Sequence, residues 1–172
     1  MRNFKKNGEG IERTNDHIYK GSFFDDHKKG QGVITFVKTD DKFEGEFKDN
    51  KIFKGKYTWK INKNVYEGFF ENNKMHGEGT YTYSSGNDNM YIGNYKHGKK
   101  HGYGIIKENG KNIYEGEFIE GNPHGKGFRY DKTGNKVGVE MEKGKRVNKH
   151  NDNSKGISTN ASAKKIGLSN FY

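Results

Sequence analysis

The sequence predicts an all-β fold: an elongated, single-layer, twisted antiparallel sheet of tandem β-hairpins, followed by a short C-terminal tail. Three observations lead there. A stretch of the form aromatic–x–Gly–x–aromatic returns along the chain at a near-constant period. A second glycine pair, GxG, follows most of these stretches at a fixed distance. The apolar inventory is small and half of it is rings: 28% of the 172 residues are hydrophobic and 14% aromatic, with 12 Phe, 11 Tyr and 1 Trp. Typical globular chains are roughly 45–50% apolar with glycine counted, and aliphatics are few here, so burial must draw on aromatics. Their regular placement also argues against the disorder that so polar a chain otherwise suggests.

The period sets the architecture. YKGSF starts at Tyr19, FEGEF at Phe43, YEGFF at Tyr66, YIGNY at Tyr91 and YEGEF at Tyr114, and a degenerate VGVEM begins at Val137. A step of 23 to 25 residues held five times is internal repetition. KGQG, HGEG, HGYG and HGKG end at Gly32, Gly79, Gly104 and Gly127. The second unit departs from this: IFKGKYTW keeps Gly55 alone and is one residue short. NGEG at 7–10 matches the second half of a unit, so the array opens on half a repeat and closes on a degraded one. Atypical end units are expected where a stack must be capped.

Within YEGEF, alternation puts Tyr114, Gly116 and Phe118 on one face and Glu115 and Glu117 on the other. IEGNPH then reads as a loop of about six residues, with Pro123 in the loop rather than in a ladder. The return strand GKGFRY carries its glycines two apart, on one face. Each unit is thus a hairpin, and successive hairpins pair edge to edge. Gly21, Gly45, Gly68, Gly93 and Gly116 are read as structural. A strand position without Cβ is a flat socket for a neighbouring ring, and the ring restores the packing that glycine forfeits.

These motifs closely resemble the MORN repeat, roughly YEGEW-x-NGK-x-HGxGTY. The resemblance covers residues 7–147, and units three and five follow it nearly position for position. Residues 1–147 therefore read as the array, with units starting near 19, 43, 66, 91, 114 and 137. Residues 148–172 read as a basic, partly disordered tail. What the resemblance implies is a scaffold in a cytoskeletal, ciliary or membrane-linked assembly, with a helical partner segment along the groove. Phospholipid binding is the alternative that the family suggests.

Composition excludes several functions. No cysteine occurs, which removes disulfides, thiolate metal sites and Cys nucleophiles. The N-terminal stretch has no apolar core of a secretory signal, and no run is long enough to span a bilayer. The expected location is cytoplasmic, associated with the cytoskeleton, cilium, cell cortex or a membrane. Net charge is +10, but residues 143–172 hold seven basic residues and one acidic. Only four of the 32 cations are Arg, the residue suited to bidentate phosphate contacts. Nucleic acid is not an expected partner. A carbohydrate reading suffers from the single tryptophan, Trp59.

His76, His101 and His124 share one repeat position, and His97 precedes His101 by four residues. KHGKKHG reads as a turn, so the helical face that HxxxH needs for zinc is missing. No metal and no cofactor are expected. HGYG and HGKG lack the helix and the Lys-Ser/Thr of a nucleotide loop. Glu44, Glu46, Glu67, Glu115 and Glu117 lie on an open face and suit cross-strand lysine partners better than acid catalysis. No catalytic residues are assigned, and the chain is not expected to be an enzyme. Exposed rings remain: Tyr66, Phe70, Tyr91, Tyr95, Tyr114 and Phe118 are the candidates for a partner-binding stripe. In the tail, Lys164, Lys165, Ile166, Leu168, Phe171 and Tyr172 are docking candidates, with a short helix capped by Asn160. Open sheet ends also allow self-association.

Overall fold

The computed structural model describes residues 5–85 and 88–147. The tail candidates and the helix expected near Asn160 lie outside these residues.

A half unit comes first, as strand β1 (Gly8–Arg13). Five hairpins follow: β2 (His17–Phe24) with β3 (His27–Phe36), β4 (Lys42–Lys48) with β5 (Lys51–Thr58), and β6 (Val65–Glu71) with β7 (Lys74–Thr82). Next come β8 (Met90–Lys96) with β9 (Lys99–Glu108) and β10 (Lys111–Ile119) with β11 (Asn122–Tyr130). The degenerate unit supplies β12 (Lys136–Glu142) and the two-residue β13 (Lys145–Arg146). All thirteen strands form one antiparallel sheet in sequence order. The expected all-β single layer is the observed fold.

Tight turns make this order possible. Asp25–Asp26, Asp49–Asn50, Asn72–Asn73, His97–Gly98, Glu120–Gly121 and Lys143–Gly144 all have positive φ at both positions. That is the type I′ pattern, whose twist matches paired strands and which favours Asn, Asp and Gly. The connection in unit five is therefore two residues long, not the six-residue loop expected from IEGNPH. Pro123 is a correction of the same kind: it is buried within β11, opposite Phe118. It adjoins the turn-closing pair Ile119–Asn122, where alternation places a non-hydrogen-bonded site that needs no N–H.

Glycines from successive strands face one another in a single lane. Gly10 pairs with Gly21, Gly21 with Gly32, Gly32 with Gly45, and Gly45 with Gly55. The lane continues through Gly68, Gly79, Gly93, Gly104 and Gly116 to Gly127. It ends where Gly127 meets Val139. A Cβ on Gly68 would stand 2.5 Å from the Tyr66 hydroxyl and 2.7 Å from Gly79 Cα. A Cβ on Gly79 would meet Tyr66 Cζ at 2.5 Å. At Val139 the ring is missing, because Val137 holds the place of the tyrosine in this unit.

Four of the turns also tie back to the preceding hairpin. Asn50 N–H donates to Lys28 O (3.1 Å), Gly98 N–H to Met75 O (2.9 Å), Gly121 N–H to Lys100 O (2.9 Å), and Gly144 N–H to Pro123 O (2.9 Å). These bonds fix the register of neighbouring units along the turn edge.

Candidate partner-binding surface

The aromatic pair of each unit is the starting point. In unit three, Tyr66 and Phe70 flank Gly68 on one face, and the Tyr66 ring lies over Gly68 and Gly79. Tyr19, Tyr91 and Tyr114 repeat this over Gly32, Gly104 and Gly127. Every one of these hydroxyls donates to the carbonyl three residues on: Ser22 (2.9 Å), Phe69 (3.0 Å), Asn94 (3.1 Å) and Glu117 (3.2 Å). The rings then meet edge to face in one continuous file. Tyr19 touches Phe23 and Phe47, Phe43 touches Phe47 and Phe70, and Tyr66 touches Phe70 and Tyr95. Tyr91 joins Tyr95 to Phe118, and Tyr114 closes the file on Phe118. Such pairs add about 0.5–1.5 kcal/mol each beyond their area burial.

This file is the core of the protein. Tyr66 and Tyr91 are 0% exposed, Phe118 1%, Tyr95 4%, Tyr114 5% and Phe70 7%. The accessible stripe expected at these six residues is therefore corrected: they are closed by the glycine sockets and by one another. Burial pushes the Tyr114 phenol up to about 12 and the Tyr66, Tyr91 and Tyr95 phenols further still. Tyr95 holds the position that is Phe23, Phe47, Phe70 and Phe118 in other units, and its buried hydroxyl has no hydrogen-bond partner.

Cations cap the file at one repeat position. Lys28 and Lys100 stand where Met75 and Ile52 stand in units three and two. The Lys28 ammonium lies 5.4 Å from the Tyr19 ring centroid and bonds Glu12. Hydrogen bonds from Lys28 and then Lys6 hold the Glu12 carboxyl down at about 2. Lys100 lies 5.1 Å from the Tyr91 ring centroid, and burial alone lowers its ammonium to about 8.

A second aromatic row is accessible. Two and four residues past the lane glycine of each return strand come Ile34 and Phe36, Tyr57 and Trp59, and Tyr81 and Tyr83. Phe36, Tyr57, Trp59, Tyr81 and Tyr83 are half-buried and lie in contact: Phe36–Tyr57 5.9 Å, Tyr57–Trp59 4.7 Å, Trp59–Tyr81 5.3 Å and Tyr81–Tyr83 4.7 Å between centroids. Units four and five have Ile106 with Glu108, and Arg129 with Asp131, at these positions. The sequence reading missed this row. Its signal was present as the period-2 continuation of the return strand beyond GxG.

The opposite face is polar and partly apolar by turns. A shallow trough there is lined by Phe69, Ile92, Thr80, Glu67, Glu78 and Lys54 beside the lane glycines. In unit five Glu115 accepts from Tyr103 (2.6 Å), from Tyr130 and from Lys136 (3.3 Å), and the two phenols and the ammonium hold its carboxyl at about 2. The expected lysine partner is thus real, but two phenols share the carboxylate with it. Glu44 bonds Lys42 at 2.9 Å. Among the histidines, His97 occupies a turn as expected, while His76, His101 and His124 lie in strands β7, β9 and β11.

Among the described residues no helix is long and apolar enough to cross a membrane. No curated protein matches the chain at a significant level. The MORN repeat family model matches residues 19–40, 66–88, 91–110 and 114–136. It passes over the hairpin β4–β5, which nevertheless holds the glycine lane in register. With four matched units, one continuous glycine lane and a ring file that the units share, the chain belongs to the MORN-repeat family.

Proposed function

We propose that the protein is a non-catalytic scaffold or adaptor that holds a partner segment against the half-buried aromatic row. The observation that carries this reading is that Phe36, Tyr57, Trp59, Tyr81 and Tyr83 form a contiguous aromatic surface on the side of the sheet that packs the core. Contiguous apolar patches of this kind mark partner sites, and Tyr, Trp and Phe are enriched at interface centres. A helix is the partner element that fits. Neighbouring strands lie about 4.8 Å apart, so the rows on β3, β5 and β7 recur every ~9.6 Å. Residues seven apart on a helix rise ~10.5 Å, so apolar residues at that spacing meet successive rows. Family membership supports an assembly role at a cytoskeletal or membrane-linked structure, in a cilium, flagellum or cell cortex.

Trp59 is the sole tryptophan and reports on the row directly. A partner segment is expected to change its emission, and Trp59→Ala plus Tyr83→Ala is expected to abolish capture from native cells while the circular dichroism spectrum stays β. Undiminished capture by the folded double variant overturns the assignment. Tyr91→Ala plus Tyr114→Ala is not a usable test, because it empties the glycine sockets and unfolds the sheet. Phospholipid binding is the second reading. It predicts salt-sensitive liposome flotation that disappears with residues 148–172 and is indifferent to Trp59→Ala.

A further inference from the structure

The turn edge brings together three side chains that the chain spacing keeps apart. Glu71 ends β6, His76 lies on β7, and His97 is the first turn residue after β8. Their ligand atoms all lie within 4.8 Å of one another. Glu71 Oε2 stands 3.1 Å from His76 Nδ1, and the His76 and His97 ring centroids are 5.7 Å apart. His76 Nδ1 is shielded from solvent, and the Glu71 carboxylate beside it stands outside hydrogen-bond geometry. The Gly98 N–H to Met75 O bond (2.9 Å) fixes this arrangement, since it pins the His97 turn beside the strand carrying His76.

The repeat supplies its own controls. Between units four and five the same three positions are Lys96, His101 and Glu120, and Glu120 is already bonded to Lys99 Nζ at 2.5 Å. Between units five and six they are Ile119, His124 and Lys143, and between units one and two Phe24, Lys29 and Asp49. Between units two and three they are Lys48, Phe53 and Asn72. Among the described residues, only the junction of units three and four puts three lone-pair donors together with no ammonium among them.

We propose that Glu71, His76 and His97 bind a divalent transition metal, zinc by preference, as a clip between the third and fourth hairpins. Two imidazoles and one carboxylate are a donor set that suits zinc, with a fourth position left to water. Tetrahedral bonds of about 2.0–2.1 Å hold ligand atoms roughly 3.4 Å apart. The Glu71–His76 pair already has such a separation, and the exposed His97 side chain needs only a small closure. The HxxxH spacing of His97 and His101 has no part in the site.

The test uses the full chain without an affinity tag, titrated with Co²⁺ and then Zn²⁺. The expected result is one Co²⁺ per chain with a tetrahedral visible spectrum, displaced by one equivalent of Zn²⁺, and a zinc-dependent rise in Tm. His97→Asn keeps the positive-φ turn, because Asn serves at the matching position of unit three. That variant and His76→Gln are expected to weaken zinc binding about tenfold or more, with His101→Gln unchanged. Absence of binding in the natural chain, or equal loss in the His101 variant, overturns the proposal. Retention of full affinity by folded His97→Asn overturns it as well.

Discussion

Hairpins β4–β5 and β6–β7 are neighbours built from the same motif, and one of them is a residue short. In β6–β7, Gly68 and Gly79 pair and the ladder then jumps to Phe69 opposite His76. Gly77 lies in the extra length with φ +61°, a conformation that glycine tolerates best. In β4–β5, Glu46 stays in register with Lys54, and the shift comes only before Phe47 meets Ile52. The ring over the lane there is Phe43 rather than Tyr66, so no hydroxyl reaches back to a carbonyl. The shorter bulge and the missing hydroxyl go together. Both hairpins keep the lane glycines, the ring over them and the buried second aromatic. The difference teaches which parts of the motif fold the sheet and which only trim it.

Breaking the shared part has the largest effect. Gly68→Val or Gly79→Val forces a side chain into the Tyr66 ring and is expected to cost about 3 kcal/mol, the upper end for overpacking. Gly138→Ala, with nothing within 4 Å of its Cβ, is expected to stay within about 0.5 kcal/mol. Urea melts compare them, and equal midpoints contradict the socket account. Glu67→Val serves as a surface control. Glu115→Val does not, since Glu115 collects two phenols and Lys136.

Exchanging the trimmed part should give smaller effects of opposite sign. Tyr66→Phe makes unit three resemble unit two while its longer bulge remains, so Phe69 O loses its donor at a cost of about 0.5–1.5 kcal/mol. Tyr95→Phe removes a buried hydroxyl that has no partner, and it is expected to stabilise by about 1 kcal/mol. Thermal melts that shift in the same direction for both variants would sink this distinction.

The smallest effect sharpens the comparison at the capping position, which is Ile52 in unit two, Met75 in unit three and Lys100 in unit four. The folded pKa of Lys100, about 8, lies below its ordinary 10.5. Between these values the unfolded chain holds the extra proton, so stability rises with pH across that window. The buried tyrosines act the other way above pH ~10, because their folded pKa values are raised. Lys100→Met is therefore expected to raise Tm by about 2–4 °C near pH 7 and to flatten the rise between pH ~8 and ~10. A Tm profile against pH that matches the natural chain contradicts it.

Much of this was legible in the residues. The five units, the hairpin, the sheet order and the role of Gly21, Gly45, Gly68, Gly93 and Gly116 follow from period and alternation. The six rings chosen as a partner stripe did not, since alternation assigns a face but not its exposure. Tyr66 and Phe118 vanish because the adjoining unit supplies the covering ring. Pro123 is the other exception: the composition of IEGNPH suggests a loop of about six residues, whereas two positive-φ residues, Glu120 and Gly121, suffice for the turn.

By itself the sequence determined the unit, its period and the chemistry of its lane, because those depend on residues within one hairpin or one step away. Only the tertiary structure decided which aromatics stay open and which titratable groups meet. Phe36, Tyr57, Trp59 and Tyr81 come from three units, and Glu71, His76 and His97 from two. Strand pairing sets those distances, and one residue more or less in a bulge or turn changes which side chains are neighbours.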